Sequence, residues 1–203
     1  MSARILPYGE RAVLLELSSI EEVLGAYAAV QDSPPDGLED VVPAAVTLLL
    51  SFTDPSALAA ALPALRQVDS TPRHREAGEL VTIPVTYDGV DLADVAELTG
   101  LTVAEVITAH SGSEYTVAFN GFSPGFAYLI GLDERLRVPR RTSPRTAVPA
   151  GSVAMTGAFT AVYPRSSPGG WQLLGHTTET LWDGARKAPA LLGPGMRVRF
   201  EAL

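Results

Sequence analysis

The sequence has no cysteine and only one lysine, and 7% of its 203 residues are aromatic. Without cysteine the chain has no disulfide, no thiolate nucleophile and no cysteine-based zinc site. Charged residues make up 19% of the chain against 46% hydrophobic residues, a composition that excludes a disordered chain. The formal net charge of -8 argues against a general nucleic-acid-binding protein, because neutralising phosphates needs a basic surface.

Long hydrophobic runs are also missing. The N-terminal stretch MSARILPYGE lacks the apolar centre of a signal peptide. The longest apolar stretch, VVPAAVTLLLSF, is too short and too interrupted to span a bilayer. We therefore expect a soluble, acidic, cytoplasmic protein.

The first part of the chain has the pattern of a small α/β unit. RAVLLEL predicts a strand, and the segment after it predicts a helix opened by Ser18 or Ser19. LEDVVPAAVTLLLSF predicts two short strands, and a second helix should begin after Asp54 as its N-terminal cap. The polar residues 68–79 show no periodicity and form the expected linker.

The second part changes from helices to short strands. LVTIPV predicts a strand, and the capping box of Thr102 and Glu105 opens the second of two short helices. From Tyr115 onward, short β-like runs alternate with Gly/Pro turns, which is typical of a compact barrel or sandwich. In MRVRF near the C-terminus, the Met, Val and Phe should face inward and the two arginines outward.

The stretch NGFSPGF contains the pattern G-x-S-x-G around Ser123, which often marks a serine nucleophile. In such a site the residue after the serine donates its backbone N–H to the oxyanion, but Pro124 has no N–H. A triad of Ser123 with Asp133 and His176 can be written down, yet sequence order alone supplies no geometry. The Pro-Gly pair favours a tight turn over a serine hydrolase.

Nucleotide-binding loops are not recognisable in this chain. The only lysine, Lys187, lies in GARKAP without the glycine frame of a phosphate-binding loop, and no G-x-G-x-x-G follows a strand. Neither signal for a nucleotide site is therefore present.

The most unusual local feature is RLRVPRRTSPR, with five arginines in 11 residues: Arg135, Arg137, Arg140, Arg141 and Arg145. Its prolines keep it extended rather than helical. One interpretation is a solvated basic loop whose arginines pair with acidic side chains. The other is an anion site, because the guanidinium fork suits carboxylate or phosphate.

Long ordered motifs follow. GFSPGFAYLIGLDERLRVPRRTSPRTAVPAGSVAMTG, then VYPRSSPGGWQLLGHT and a closing PGMRVRF, cover about residues 80–203. This sequence resembles the B subunits of bacterial ATP-dependent 5-oxoprolinases, also called the KipI family or allophanate hydrolase subunit 1. The chain departs from the family pattern with Phe159 in place of a frequent glutamine and His176 in place of arginine.

The resemblance implies an α+β fold in two domains. Residues 1–78 would form a ferredoxin-like α/β domain, and residues 79–203 a cyclophilin-like β-barrel domain. It also implies a heteromeric complex with two further 5-oxoprolinase proteins. These are the C subunit, which has a related cyclophilin-like fold, and the A subunit.

The function implied by the resemblance is the opening of the 5-oxoproline lactam to L-glutamate at the expense of ATP, with this chain inactive alone. Two alternatives stay open: an inhibitor of a sensor histidine kinase, as some KipI relatives are described, or a carboxyltransferase-like subunit of urea or allophanate metabolism. No nucleic acid, membrane or metal is expected to take part.

Candidate site residues follow from the motifs by position, and the catalytic residues stay unknown. For substrate binding we expect Arg140, Arg141, Arg145, Ser152 and His176. For the pocket wall we expect Phe122, Pro124, Gly125, Phe126, Gly151, Pro168, Gly169, Gly170 and Trp171. His110, at a predicted helix end, is expected only to interact favourably with the helix dipole.

Overall fold

The computed structural model describes residues 3–71 and 79–203. The chain divides into two compact units, Met1–Arg75 and Glu76–Leu203. The domain boundary predicted after residue 78, and most of the predicted linker, lie outside the described residues.

The first unit contains a four-stranded antiparallel sheet and two helices, in the strand order β1-β2-β4-β3. Its elements are β1 (Arg4–Pro7), β2 (Ala12–Glu16), α1 (Ile20–Asp32), β3 (Leu38–Pro43), β4 (Thr47–Phe52) and α2 (Pro55–Leu65). The predicted strands and helices are all present, and β1 is an additional strand that pairs with β2.

One face of this sheet forms the core of the first unit. Alternate residues of β4, namely Leu48, Leu50 and Phe52, are fully buried against Val23 and Leu65 of the two helices. Period-2 alternation in the strands and apolar faces on the helices produce this arrangement. Asp54 caps α2 as predicted, accepting from the backbone N–H groups of Ser56 and Ala57.

Helix α1 begins after Ser19, so the structure decides between the two predicted caps. The Ser19 hydroxyl accepts from the Glu22 backbone N–H at 3.3 Å, whereas Ser18 contributes its own backbone N–H to the Glu22 carboxylate. We expect Ser19→Ala to lower the free energy of unfolding by about 1 kcal/mol, because it leaves a helix donor uncapped. Urea unfolding followed by circular dichroism measures this. Ser18→Ala keeps its backbone contact and is the matched control, so an equal loss in both variants would contradict the assignment.

The second unit is built around a seven-stranded sheet and two helices. Its elements are β5 (Leu80–Val85), α3 (Leu92–Thr99), α4 (Val103–Gly112), β6 (Glu114–Asn120), β7 (Ala127–Ile130), β8 (Arg145–Val148), β9 (Ser152–Thr156), β10 (Phe159–Val162), β11 (Ser167–Gly169), β12 (Gln172–His176) and β13 (Arg197–Ala202). The main sheet has the order β12-β9-β10-β7-β6-β13-β5, and β8 and β11 form a separate two-stranded ribbon.

The main sheet is nearly closed into a barrel. Thr86, directly after β5, pairs with His176 at the end of β12 through two backbone hydrogen bonds of 2.9 Å. The first and last strands of the sheet are thereby brought together. The close approach needs a glycine next to His176, because a Cβ on Gly175 would lie 2.1 Å from the Thr86 carbonyl oxygen.

The barrel interior holds the larger core. Ile83, Tyr115, Met155, Val198 and Phe200 pack there with residues of α3 and α4. The predicted inward direction of the Val and Phe in MRVRF is confirmed, and both alternating arginines outside reach Glu114.

Outside the barrel wall lies a second core, which we call the aromatic cluster. Its members are Phe119, Phe122, Phe126, Tyr128, Phe159, Tyr163 and Trp171, joined by ring contacts with centroids 4.4 to 6.4 Å apart. Strands β9 and β10 contribute Ala154 and Ala161 to the same core, and β8 contributes Val148. This explains why β9 is buried on both faces.

In the part of the chain that the structure describes, no helix is long and apolar enough to cross a membrane.

Candidate anion-binding site

Two of the predicted substrate-binding arginines converge on a buried carboxylate that the sequence did not single out. Asp91 Oδ1 accepts from Arg141 Nη1 at 2.6 Å and from Arg145 Nη2 at 2.7 Å. Asp91 Oδ2 accepts from the Leu173 backbone N–H at 2.8 Å. Only 2% of the Asp91 side chain is exposed. Arg141 and Arg145 are thus joined through Asp91 to strand β12.

Asp91 reaches β12 because the loop before α3 packs directly on that strand. The Gly89 and Asp91 backbone N–H groups donate to the carbonyl oxygens of Leu174 and Leu173. A Cβ on Gly89 would lie 2.2 Å from the Leu173 carbonyl oxygen, so only glycine fits this contact. Asp91 occupies the N-terminal cap position of α3, but its side chain makes no cap hydrogen bond there. The carboxylate accepts hydrogen bonds from Arg141 and Arg145 instead.

The charges of the arginine-rich segment are mostly paired. Arg135 forms an ion pair with Asp133, Arg137 with Glu134, and Arg141 lies 3.7 Å from Asp94 in addition to Asp91. Within the described residues, Arg140 is the member of this segment that has no carboxylate within ion-pair distance, and it is exposed. The solvated-loop interpretation fits Arg135 and Arg137, whereas the anion-site interpretation stays a prediction for Arg140.

Arg140 lines an open cleft of about 660 Å³. Its walls are Asp94, Glu97, Leu98, Pro139, Arg140, Arg141, Thr142 and Gln172. A volume of this size is in the range of small-molecule sites. The cleft therefore has one guanidinium without an ion-pair partner among the described residues, a second guanidinium held by Asp91, and two carboxylates on the α3 side.

Gln172 is the buried polar side chain of this cleft. It is 4% exposed, and its Nε2 donates to the Pro139 carbonyl oxygen at 3.2 Å. Its Oε1 has no hydrogen-bond partner among residues 3–71 and 79–203, and the same holds for the buried Arg141 Nε and Arg145 Nη1. Buried polar atoms are normally hydrogen-bonded, so these three atoms have hydrogen-bonding capacity left for a bound molecule.

Ser152 and His176 are brought together, but at the other end of β12 from Gln172. They face each other in the β9–β12 pairing. The half-exposed His176 lies with Nδ1 2.8 Å from Asp88 Oδ1. Among the described residues no group of three His, Asp or Glu side chains is placed to hold a metal ion.

The predicted pocket-wall residues lie in or beside the aromatic cluster. Phe126 and Trp171 are buried in it, whereas Phe122 is 59% exposed and has a backbone φ of 64°. Such an angle is rare for a bulky residue.

Gly169 packs against the Tyr163 hydroxyl, and Gly170 accepts from the Arg141 backbone N–H at 2.8 Å. Pro124 and Pro168 are exposed, and Gly151 is buried with its N–H donating to the Tyr163 carbonyl oxygen.

The G-x-S-x-G stretch forms the tight turn that its Pro-Gly pair predicts. The Phe126 N–H donates to the Ser123 carbonyl oxygen at 3.0 Å, and a Cβ on Gly125, which has a φ of 80°, would lie 2.7 Å from Trp182 Cβ. His176 is engaged by Asp88, and Asp133 by Arg135. The structure does not assemble a serine triad from these residues.

His110 corrects an expectation. It lies in the last turn of α4, but it is fully buried rather than a charged group at a helix terminus. Burial lowers its pKa to about 3, so the ring is neutral. Thr160 donates its hydroxyl to the Ala154 carbonyl oxygen, so it must accept from His110 Nε2, and His110 Nδ1 then accepts from the Tyr87 hydroxyl. The helix-dipole interpretation was wrong because the ring is part of the barrel core.

Comparison with known proteins shows extensive similarity. Residues 3–192 match the family model "Carboxyltransferase domain, subdomain C and D". The chain is 41% identical to the B subunit of the 5-oxoprolinase of Escherichia coli O157:H7, with 98% of this chain and 95% of that protein aligned. It is 36% identical to the B subunit of the 5-oxoprolinase of Bacillus subtilis (strain 168), with 98% and 88% aligned.

Solved structures give the same picture of the fold. The crystal structure of TTHA0988 is similar with a TM-score of 0.80 and 38% identity over 95% of this chain, which spans 40% of the length of that protein. The K. lactis urea amidolyase has a TM-score of 0.75 at 20% identity, over 99% of this chain and 15% of that one. The latter likeness shows a shared fold and nothing more.

Proposed function

Because the chain belongs to the family of 5-oxoprolinase B subunits and carries the carboxyltransferase subdomain C and D fold, we propose that it is one component of an ATP-dependent 5-oxoprolinase complex. The complex would open the lactam of 5-oxoproline by hydrolysis to L-glutamate. The chain would not act alone, since it brings no recognisable nucleophile and no nucleotide-binding loop.

The two units would correspond to a ferredoxin-like domain at residues 1–78 and a cyclophilin-like barrel at residues 79–203. In the first unit β2, α1, β3, β4 and α2 follow the order of a ferredoxin-like domain that lacks its last strand. Strand β1 fills that edge position beside β2. A near-closed sheet with its helices in the same core supports the barrel assignment.

The anion site would bind the substrate carboxylate through Arg140. The observation that carries this proposal is an exposed guanidinium that no described carboxylate engages, in a cleft whose other arginine is already held by buried Asp91. Arg141 and Arg145, which are paired with Asp91, would form part of the structure that supports the site. Arg140 would supply the main positive charge. Ser152 and His176 would not contact the substrate in this cleft, because they lie at the far end of β12, where His176 is paired with Asp88.

ATP would be bound by another protein of the complex. The residues of this chain do not fit a phosphate-binding loop, and its lysine, Lys187, is exposed in a segment without glycine-rich backbone. We propose the A and C subunits of 5-oxoprolinase as the partners, with the nucleotide site outside this chain.

Reconstitution tests the function and the site together. We expect ATP-dependent release of glutamate from 5-oxoproline when this chain is mixed with both proposed partners, and none when any one of the three is omitted. In the mixture, Arg140→Ala should raise the KM for 5-oxoproline by about 10- to 100-fold, the effect of losing a charged hydrogen bond. Arg137→Ala removes another exposed arginine, which is paired with Glu134, and should leave the KM unchanged.

Other outcomes would overturn the proposal. Turnover by this chain alone, or equal KM values for the two arginine variants, would contradict it. An inactive mixture combined with tight binding to a histidine-kinase dimerisation domain would favour the inhibitor function. Binding of a biotinylated carrier would favour the carboxyltransferase-like function.

A further inference from the structure

We propose that Gln172 determines the specificity of the cleft beside Arg140 by accepting a hydrogen bond from an N–H group that is adjacent to the ligand's carboxylate. The inference deepens the proposed function and rests on it, because it concerns the same cleft. It assigns a role to a residue outside the arginine-rich segment and defines the ligand class as small secondary amides that carry one carboxylate.

The orientation of the Gln172 amide is fixed by its neighbour. The Pro139 carbonyl oxygen can only accept, so the Gln172 NH2 group must face it, at 3.2 Å. Oε1 is consequently turned away from Pro139. As a buried acceptor without a donor in the described parts of the chain, it can accept from an N–H or O–H group of a bound molecule.

Gln172 and Arg140 are held side by side by the backbone. The Arg141 N–H donates to the Gly170 carbonyl oxygen, and the Gln172 side chain donates to the Pro139 carbonyl oxygen. These two hydrogen bonds flank Arg140 on both sides and fix its backbone, and no carboxylate of residues 3–71 and 79–203 forms an ion pair with its guanidinium. Gln172 and Arg140 therefore line the same cleft.

The remaining groups of the cleft limit the size and charge of its ligand. Arg141 Nε is a buried donor without an acceptor in the described residues, and suits a carbonyl oxygen. Asp94 and Glu97 line the same cleft and repel a polyanion. A monoanion with an N–H and a carbonyl oxygen complements the site, whereas a nucleoside triphosphate does not. In 5-oxoproline the N–H is directly adjacent to the carbon that bears the carboxylate.

The test compares two probes that differ in one ring position. L-5-oxoproline and its lactone analogue, 5-oxotetrahydrofuran-2-carboxylate, share ring size, carboxylate and carbonyl, but the lactone has a ring oxygen in place of N–H. Titration calorimetry is performed on the chain alone and on the chain mixed with its proposed partners. We expect the wild type to bind the lactam at least about tenfold more tightly, because the lactone leaves Oε1 unpaired.

Variants then assign the preference to a residue. Gln172→Met keeps the side-chain length but removes the acceptor, and it should bring the lactam-to-lactone ratio close to one. Arg140→Ala should weaken both probes equally and keep the ratio. Gln67→Met, at an exposed glutamine of the first unit, is the matched control and should change nothing.

Each result bears on the inference separately from the proposed function. If the wild type binds the two probes with equal affinity, the inference is overturned without any variant. It is also overturned if Gln172→Met leaves the lactam-to-lactone affinity ratio unchanged. Both conclusions hold even if the reconstituted mixture releases glutamate. No detectable binding of either probe, alone or in the mixture, overturns it too. The mixture could instead bind the lactam selectively through Gln172 but release no glutamate. That result would support the inference and contradict the proposed reaction.

Discussion

Replacing Asp91 with alanine is expected to lower the free energy of unfolding of the second unit by about 3 to 5 kcal/mol, the usual loss when one partner of a buried ion pair is removed. Asp91 accepts from Arg141, Arg145 and the Leu173 N–H at 2.6 to 2.8 Å. Its removal leaves two guanidiniums and one backbone donor without their acceptor. Denaturant unfolding followed by tryptophan fluorescence measures the loss, since both tryptophans lie in this unit.

Asp94→Ala is the matched control for that prediction. Asp94 lies on the same helix and 3.7 Å from the same arginine, but its side chain is 63% exposed. We expect a loss of less than about 1 kcal/mol, as for other exposed ion pairs. Asp91→Asn, which keeps an acceptor for the Leu173 N–H, should fall between the two variants. Equal stability of Asp91→Ala and Asp94→Ala would contradict the role given to Asp91.

The elements that the sequence predicts best are those with local signals. The cap at Asp54 and the capping box of Thr102 and Glu105 depend on residues three positions apart, and the structure has both. Strand β13 is predicted by its period-2 alternation. Strands β1, β7, β8 and β11 have three or four residues each, too few for a period to be read, and they depend on pairing partners elsewhere in the chain.

The site was predictable only in part. The arginines stand out by their density, but their partner Asp91 lies about fifty residues earlier, in a segment whose pattern indicates an ordinary helix start. The helix-start pattern is correct, since α3 does begin after Asp91. The pattern does not indicate, however, that the Asp91 carboxylate binds two arginines. Gln172 has no signal at all, because its importance comes from burial beside Pro139. The sequence alone could not tell which arginine would lack a carboxylate partner among the described residues.

The same limit applies to His110. A histidine near a helix end has a local interpretation, the helix dipole, and that interpretation fails because β10 and β13 cover the ring. Phe200 stacks on it with centroids 4.7 Å apart, and Thr160 lies 2.9 Å from Nε2. Both contacts come from strands more than forty residues away. Tertiary packing, rather than helix position, therefore sets the protonation of this histidine.

Acidification is expected to destabilise the second unit through His110, over the pH range from about 6.5 to about 3. In the unfolded chain the ring takes up a proton below its ordinary pKa of 6.5, whereas burial holds the folded-state pKa at about 3. Between these values the unfolded state binds more protons, so stability is full above pH 6.5 and is lost as the pH falls toward 3. The contribution lost is on the order of 5 kcal/mol. Unfolding curves at a series of pH values measure it.

His110→Gln isolates this contribution from that of the carboxylates. A glutamine can donate to Thr160 and accept from Tyr87, as the neutral ring does, but it does not titrate. The variant should therefore lose less stability than the wild type between pH 6.5 and 3, whatever its stability at pH 7. His176→Gln makes the same substitution at an exposed histidine of the same unit and is the control variant. A slope in His110→Gln that matches the wild type would mean that the buried ring does not resist protonation, and that carboxylates alone govern acid unfolding.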